Sequence, residues 1–222
     1  MLTYLLLAAP AFLLGLWAQL RVKTAYAAAQ RVAAPLSGAA AARRILESAG
    51  VQQVRIEQTP GRLSDHYDPR HKVLRLSPEV YQSRSLAAVG IAAHEAGHAI
   101  QDARAYAPLM IRNAAVPAAG FGSNAGFILI ILGAVLNFLP LLLLGIFLFG
   151  CVVFFQIVNL PVEFNASARA KAQLVSTGIV GRQELGPVEQ VLNAAAWTYV
   201  AATLQAVMTL LYYVMIFLSR RR

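Results

Sequence analysis

One cysteine, four histidines and ten acidic residues in 222 leave little from which to build chemistry. The single cysteine, Cys151, excludes a disulfide within the chain and any thiolate metal site. A metal would therefore have to be held by histidine and carboxylate. Charge is scarce as well. Only 13% of residues are charged and 58% are hydrophobic, against about 25% and 45–50% in soluble domains.

The missing charge is missing in blocks. Residues 2–20 carry none, residues 114–162 carry none, and residues 191–219 carry none. The middle block is too long for one crossing and is interrupted by Asn137-Phe-Leu-Pro140, so it reads as two helices joined by a tight turn. A spanning helix needs about 20 apolar residues, and four such helices can be drawn. The first lacks a positively charged leader and is longer than a signal's apolar core, so it reads as an uncleaved anchor.

The net charge of +9 comes from 19 Lys and Arg, thirteen of them in 21–112, three in 161–190 and three at the end of the chain. In a membrane protein this distribution reads as positive-inside bias, which places 21–112 and 161–190 at the cytoplasmic face of a multi-pass cell-membrane protein. Four crossings would leave Arg220 to Arg222 outside, against the same rule. Anionic lipid is a sufficient partner for the surplus charge, and nucleic acid is not expected.

The fold class expected is mainly α and membrane-integral, about four spans with a small α+β cap. Its segments are a first transmembrane helix (1–20), an α+β segment (21–112), a transmembrane hairpin (113–160), a helix and connecting loop (161–190), and a fourth span with a basic tail (191–222). Within the cap, Ser37 and Ser85 stand where helix caps belong, the second opening a helix over 86–103. Residues 51–57 and 72–77 alternate as strands, with turns at Thr59-Pro60-Gly61 and Asp68-Pro69-Arg70 between them.

The helix over 86–103 carries His94-Glu95-Ala-Gly-His98. Residues i and i+4 share a helix face, so both imidazoles can meet one Zn²⁺. Glu95 is rotated by about 100° from its neighbour and can work as general base without being a ligand. Two ordinary helix histidines are the bland alternative, which the small residues around the pair (Gly90, Ala92, Ala93, Ala96, Gly97) disfavour. A third ligand must come from His66, His71 or a carboxylate. Glu163 is the one acid between Asp102 and Glu184, and a membrane hairpin between them would return it near residue 94. It is the favoured third ligand.

The segments SDHYDPRHKVLRLSPEVYQSRSLAAVGIAAHEAGHAIQ (64–101) and LPVEFNASARA (160–170) resemble the YugP-type membrane zinc metallopeptidases. More distantly the chain is similar to the CAAX prenyl protease and heat-shock membrane metalloproteases, which are gluzincins. The resemblance implies one zinc per chain, a ligand role for Glu163 and peptide-bond hydrolysis. Those distant relatives have Asp four residues after the ligand Glu, where this chain has Ser167, an uncharged candidate for orienting a ligand histidine. In related metallopeptidases an exposed edge strand pairs with extended substrate, and 72–77 is expected to be that edge. Asp65 and His66 are candidates for contacting substrate or supporting the metal, and Tyr199 for stabilising an oxyanion.

The expected activity is that of a membrane endopeptidase acting on a membrane-associated protein. The expected partners are the bilayer and a protein or peptide substrate, with room for a further membrane protein that the sequence does not identify. The rival is a non-catalytic adaptor with a structural zinc, its fourth ligand drawn from Asp65 or His66. A transporter finds almost no ionisable residue in the spans to work with.

Overall fold

A computed structural model describes residues 2–220. Four helices are long and apolar enough to cross a membrane: α1 (Leu2–Gln30), α5 (Ala107–Val135), α6 (Leu139–Ser176) and α7 (Gly186–Arg220). Between α1 and α5 lie α2 (Gly38–Ser48), β1 (Arg55–Gln58), β2 (His66–Asp68), β3 (Val73–Leu76), α3 (Pro78–Gln82) and α4 (Leu86–Ala103). The expected mainly-α membrane protein with a small α+β portion is what forms.

The chain divides into two compact units. A bundle unit takes Met1–Ala18, Met110–Pro161 and Trp197–Arg222, and a cap unit takes Gln19–Leu109 and Val162–Ala196. The long helices do not stop where their charge-free stretches stop. α1 continues past Leu20 through Arg21 and Lys23, and α6 runs past Val162 with Pro161 inside it. Charge ends a span but not a helix, because backbone hydrogen bonding is indifferent to what lies outside.

In the bundle unit the α5–α6 turn needs only residues 136–138, with Asn137 in the left-handed region at φ 53°. Pro140 stands at the second position of α6, where a missing N–H costs no helical bond. A Cβ on Gly133 would come within 2.4 Å of the Leu142 backbone nitrogen. Only glycine lets the two helices approach so closely there.

In the cap unit Ser37 caps α2 by accepting from Ala40 N, and Ser85 caps α4 by accepting from Ala88 N. The sheet order is β1-β3-β2, with β1 parallel and β2 antiparallel to β3. This corrects the expectation for 72–77: β3 is the middle strand, not an edge. Val73, Leu74 and Leu76 are all fully buried, so side chains on both faces of the strand are covered, as a central strand requires. The edge role falls to β1 and to β2, which forms where only a turn was expected. Ile45, Leu46, Leu74, Leu76, Ile100 and Leu174 belong to one core joining α2, the sheet, α4 and the far end of α6.

Candidate metal centre

α4 is lined with small residues because other backbone crosses it closely. A Cβ on Gly97 would come within 2.7 Å of the Ala166 carbonyl oxygen. That contact sets α4 directly against α6 at the residue before His98, three residues past His94, and across it stands Glu163. His94, His98 and Glu163 each offer a ligand atom, and these atoms lie within 4.8 Å of one another. Glu163 Oε2 is 3.2 Å from His94 Nε2 and 3.6 Å from His98 Nε2. The imidazole rings stand nearly perpendicular, at 86° with centroids 4.8 Å apart.

The outer ring nitrogens have partners of their own. Ser167 Oγ is 3.2 Å from His94 Nδ1, and Gln101 Oε1 is 3.0 Å from His98 Nδ1. With each Nδ1–H donating outward, each Nε2 keeps its lone pair turned to the shared point. Two neutral imidazoles and one carboxylate, with their orienting partners in place, are the donor set zinc takes in hydrolytic sites. The residues fit the ion.

Gln101 was not singled out in the sequence. It is fully buried. Its Nε2 donates to the Val162 carbonyl at 2.8 Å and to Asn165 Oδ1 at 3.0 Å. Asn165 Oδ1 also accepts from Arg169 Nε at 2.7 Å, and the Arg169 guanidinium lies 5.9 Å from the Tyr106 ring centroid. One side chain therefore holds a histidine on α4 and two residues of α6 at once. A glutamine three residues after the second histidine, amid apolar neighbours, was the available signal. Asn165 also opens a glycosylation sequon, which its engaged carboxamide argues against.

Burial disfavours a charged His98. In the protonated imidazole the hydrogen bond donated to the Glu163 carboxylate and the charges of Glu95 and Glu163 outweigh it, so His98 titrates above its ordinary value. The site is thus electrostatically prepared for a cation. Glu95 is buried to 9% exposure and makes no hydrogen bond among the described residues.

The other candidates go elsewhere. Asp65 accepts from Ser77 N at 2.7 Å and from Ser77 Oγ at 3.1 Å, fastening the loop before β2 to the end of β3. His66 is exposed on β2, its Nδ1 2.7 Å from the Ser64 carbonyl. His71 pairs with Asp68 Oδ2 at 2.7 Å. Tyr199 lies on α7 in the bundle unit, where its carbonyl accepts from Thr203 at 2.9 Å. Among the described residues neither Asp65 nor His66 joins the three-donor cluster.

Beneath the site, β2 is tied to α4. Tyr67 Oη donates to Asp102 Oδ2 at 2.6 Å, and Lys72 Nζ reaches the same oxygen at 2.5 Å. Burial and the bond to Asp102 hold the Tyr67 hydroxyl neutral, well above the ordinary phenol range. At the outer side of the sheet, Arg75 and His71 hold Asp68 well below the usual carboxylate range.

A family profile described as "Putative neutral zinc metallopeptidase" matches residues 4–218. The "Putative membrane protease YugP" of Bacillus subtilis (strain 168) is 46% identical over 210 residues, which cover 94% of this chain and 93% of that protein. No solved structure matches the chain. A zinc-type donor set on a chain with four span-length apolar helices, matched over nearly its whole length, has one consistent explanation: the chain belongs to the YugP-type family of membrane zinc metallopeptidases, with Zn²⁺ as its cofactor.

Proposed function

We propose that this protein is a gluzincin-type endopeptidase that cuts a membrane-associated protein substrate, with His94, His98 and Glu163 as the zinc ligands and Glu95 as general base and acid. The observation that carries the reading is the convergence of three donor atoms within 4.8 Å, while the neighbouring acid, Glu95, stays out of the set. A closed structural site would need a fourth protein ligand. Asp65, the rival's acidic candidate, is bonded to Ser77 instead.

Zinc held by these residues supplies Lewis acidity, which lets water attack a carbonyl near neutral pH. Glu95 accepts the proton released by the attacking water and delivers it to the leaving amine nitrogen, so that the C–N bond breaks without expelling an amide anion. Ser167 and Gln101 are positioning residues. They fix the tautomer and ring plane of His94 and His98, the task that Asp performs at residue 167's position in the distant relatives. Of the two open strand edges, β2 is the one anchored to α4 through Asp102. It is the edge onto which an extended substrate segment would add. The basic surplus of 21–112 supports placing this chemistry at the cytoplasmic face.

The test is hydrolysis of unfolded or membrane-tethered polypeptide by purified protein, wild type beside Glu95→Gln, with zinc measured in both. The reading expects equal zinc and a loss of turnover. Equal turnover in the variant would remove Glu95 from the chemistry, and failure of both to cleave any polypeptide while zinc is tightly held would favour the adaptor.

A further inference from the structure

The cap unit has a second concave feature, which neither the metal centre nor the hydrolytic reading uses. It is a groove of about 650 Å³ between the last turns of α1 and the loop that precedes β2. Its walls are largely apolar, Val22, Ala27 and the Tyr26 ring on α1 faced by Leu63, with Gln30 and Ser77 as the neutral polar groups among them. Its rim carries three cations, Lys23, Arg31 and Arg62. All three are exposed, and none of their side chains makes an ion pair or hydrogen bond among the described residues. Several other cap cations are committed, Arg75 to Asp68, Lys72 to Asp102 and Lys171 to Glu189, while Arg44 and Arg104 stand exposed elsewhere on the cap and away from the groove. One carboxylate, Glu79, shares the rim and is held by Gln30 Nε2 at 3.3 Å. The rim is therefore left with a clear positive excess.

Leu63 is the most telling wall residue. It is 72% exposed and sits in the left-handed region at φ 54°, beside Arg62. It is not a lone exposed leucine but continues an apolar groove with Val22 and Ala27, and a contiguous apolar patch marks a contact surface. Such a surface has a use against hydrocarbon. The groove's α1 wall begins at Val22, directly after the uncharged run 2–20 ends at Arg21. That is the point at which a spanning chain meets headgroups, where Lys and Arg extend their charged ends toward phosphate while their stems lie on apolar surface.

From these observations we infer that the groove is a binding site for one anionic phospholipid, an acyl chain lying along Val22, Ala27 and Leu63 and the phosphate held among Lys23, Arg31 and Arg62. An acidic peptide would satisfy the rim but not the walls, which offer it few hydrogen-bonding groups. A soluble phosphate would satisfy neither Leu63 nor the length of the groove. The inference goes beyond the hydrolytic reading and does not depend on it.

Native mass spectrometry of the full-length, zinc-loaded protein tests it, with phosphatidylglycerol and phosphatidylcholine offered in equal amounts. Wild type is expected to retain one phosphatidylglycerol preferentially. The combined change Lys23→Ala, Arg31→Ala and Arg62→Ala is expected to lower that retention at least tenfold. A control removing three other exposed cap cations (Arg44→Ala, Arg70→Ala, Arg104→Ala) is expected to keep it. All six positions are on the surface, and zinc content reports folding of each variant independently. Equal losses in the two variants would mean diffuse attraction and overturn the site. So would equal retention of both lipids by wild type. Glycerophosphoglycerol, the same headgroup without chains, is expected not to displace the lipid at millimolar concentration. Displacement by it, or by an acidic peptide, would show a soluble anion or a peptide as the occupant and overturn the lipid.

Discussion

In the cap unit Ile45, Leu46, Leu74 and Leu76 are wholly buried, whereas in the bundle unit Phe12, Phe121, Leu136 and Phe147 are each more than half exposed. The same chemistry thus faces inward in one unit and outward in the other. The interiors differ too. Glycine lets backbones meet in both, at Gly133 in the bundle and Gly97 in the cap, but the cap interior adds buried branched aliphatics and, at the metal centre, a connected polar network. Water is the solvent that sorts side chains in the cap; in the bundle that ordering force is absent and close packing takes over. The three candidate metal ligands sit in the unit where burial is costly for polar groups, and each has a partner there.

The comparison can be broken most forcefully at the site. Replacing His94 and His98 together by Ala is expected to abolish zinc binding, read by metal analysis, and with it all hydrolysis. Glu163→Ala should do the same; zinc retained at unchanged affinity would mean that the third ligand lies elsewhere. Glu95→Gln should keep the metal and lower turnover by about 10²–10⁴-fold. Gln101→Leu removes the bonds to His98, Val162 and Asn165, and zinc affinity is expected to fall about 10–100-fold, the usual effect of losing a partner that orients a ligand. Gln101→Glu, which can still accept from His98, should recover part of it. If both variants bind zinc as wild type does, Gln101 only fills space.

Smaller effects test the inside-out packing itself. Leu74→Ala in the cap is expected to cost about 2–5 kcal/mol, since a fully buried leucine leaves a cavity. Phe147→Ala, at 69% exposure in the bundle, should change stability far less in detergent; an equal cost would mean that its exposed face is covered in the protein as it exists. The least effect expected is pH-dependent. Asp68 titrates below its ordinary range because Arg75 and His71 hold its charge. A lowered native value gives stability that is present above the ordinary carboxylate pKa and lost as pH falls from there through the lowered native value. Asp68→Asn should therefore be less stable than wild type at neutral pH and equal to it in acid, by thermal melts across that range.

Much of this was legible beforehand because it is local. The uncharged stretches, the serine caps of α2 and α4, and the spacing of His94 and His98 on one helix face all depend on residues within a few positions of each other. The strand order was not legible. Residues 72–77 alternate well enough for an edge, and only the arrival of β1 on one side and β2 on the other makes β3 central. Asp65 illustrates the same limit, since a polar residue before a strand looks equally suited to substrate or to a fold contact, and Ser77 decides it.

The sequence by itself determined that the chain enters a membrane and that two histidines share a helix face, since both follow from hydrophobic length and a helical period of 3.6 residues. The tertiary structure alone decided what meets His94 from outside its own helix and what anchors Gln101. Ser167 meets His94, and Gln101 meets Val162 and Asn165, across a helix–helix contact made possible by Gly97, and 69 residues separate His94 from Glu163. No periodicity reaches that far; only packing brings such groups within a hydrogen bond of each other.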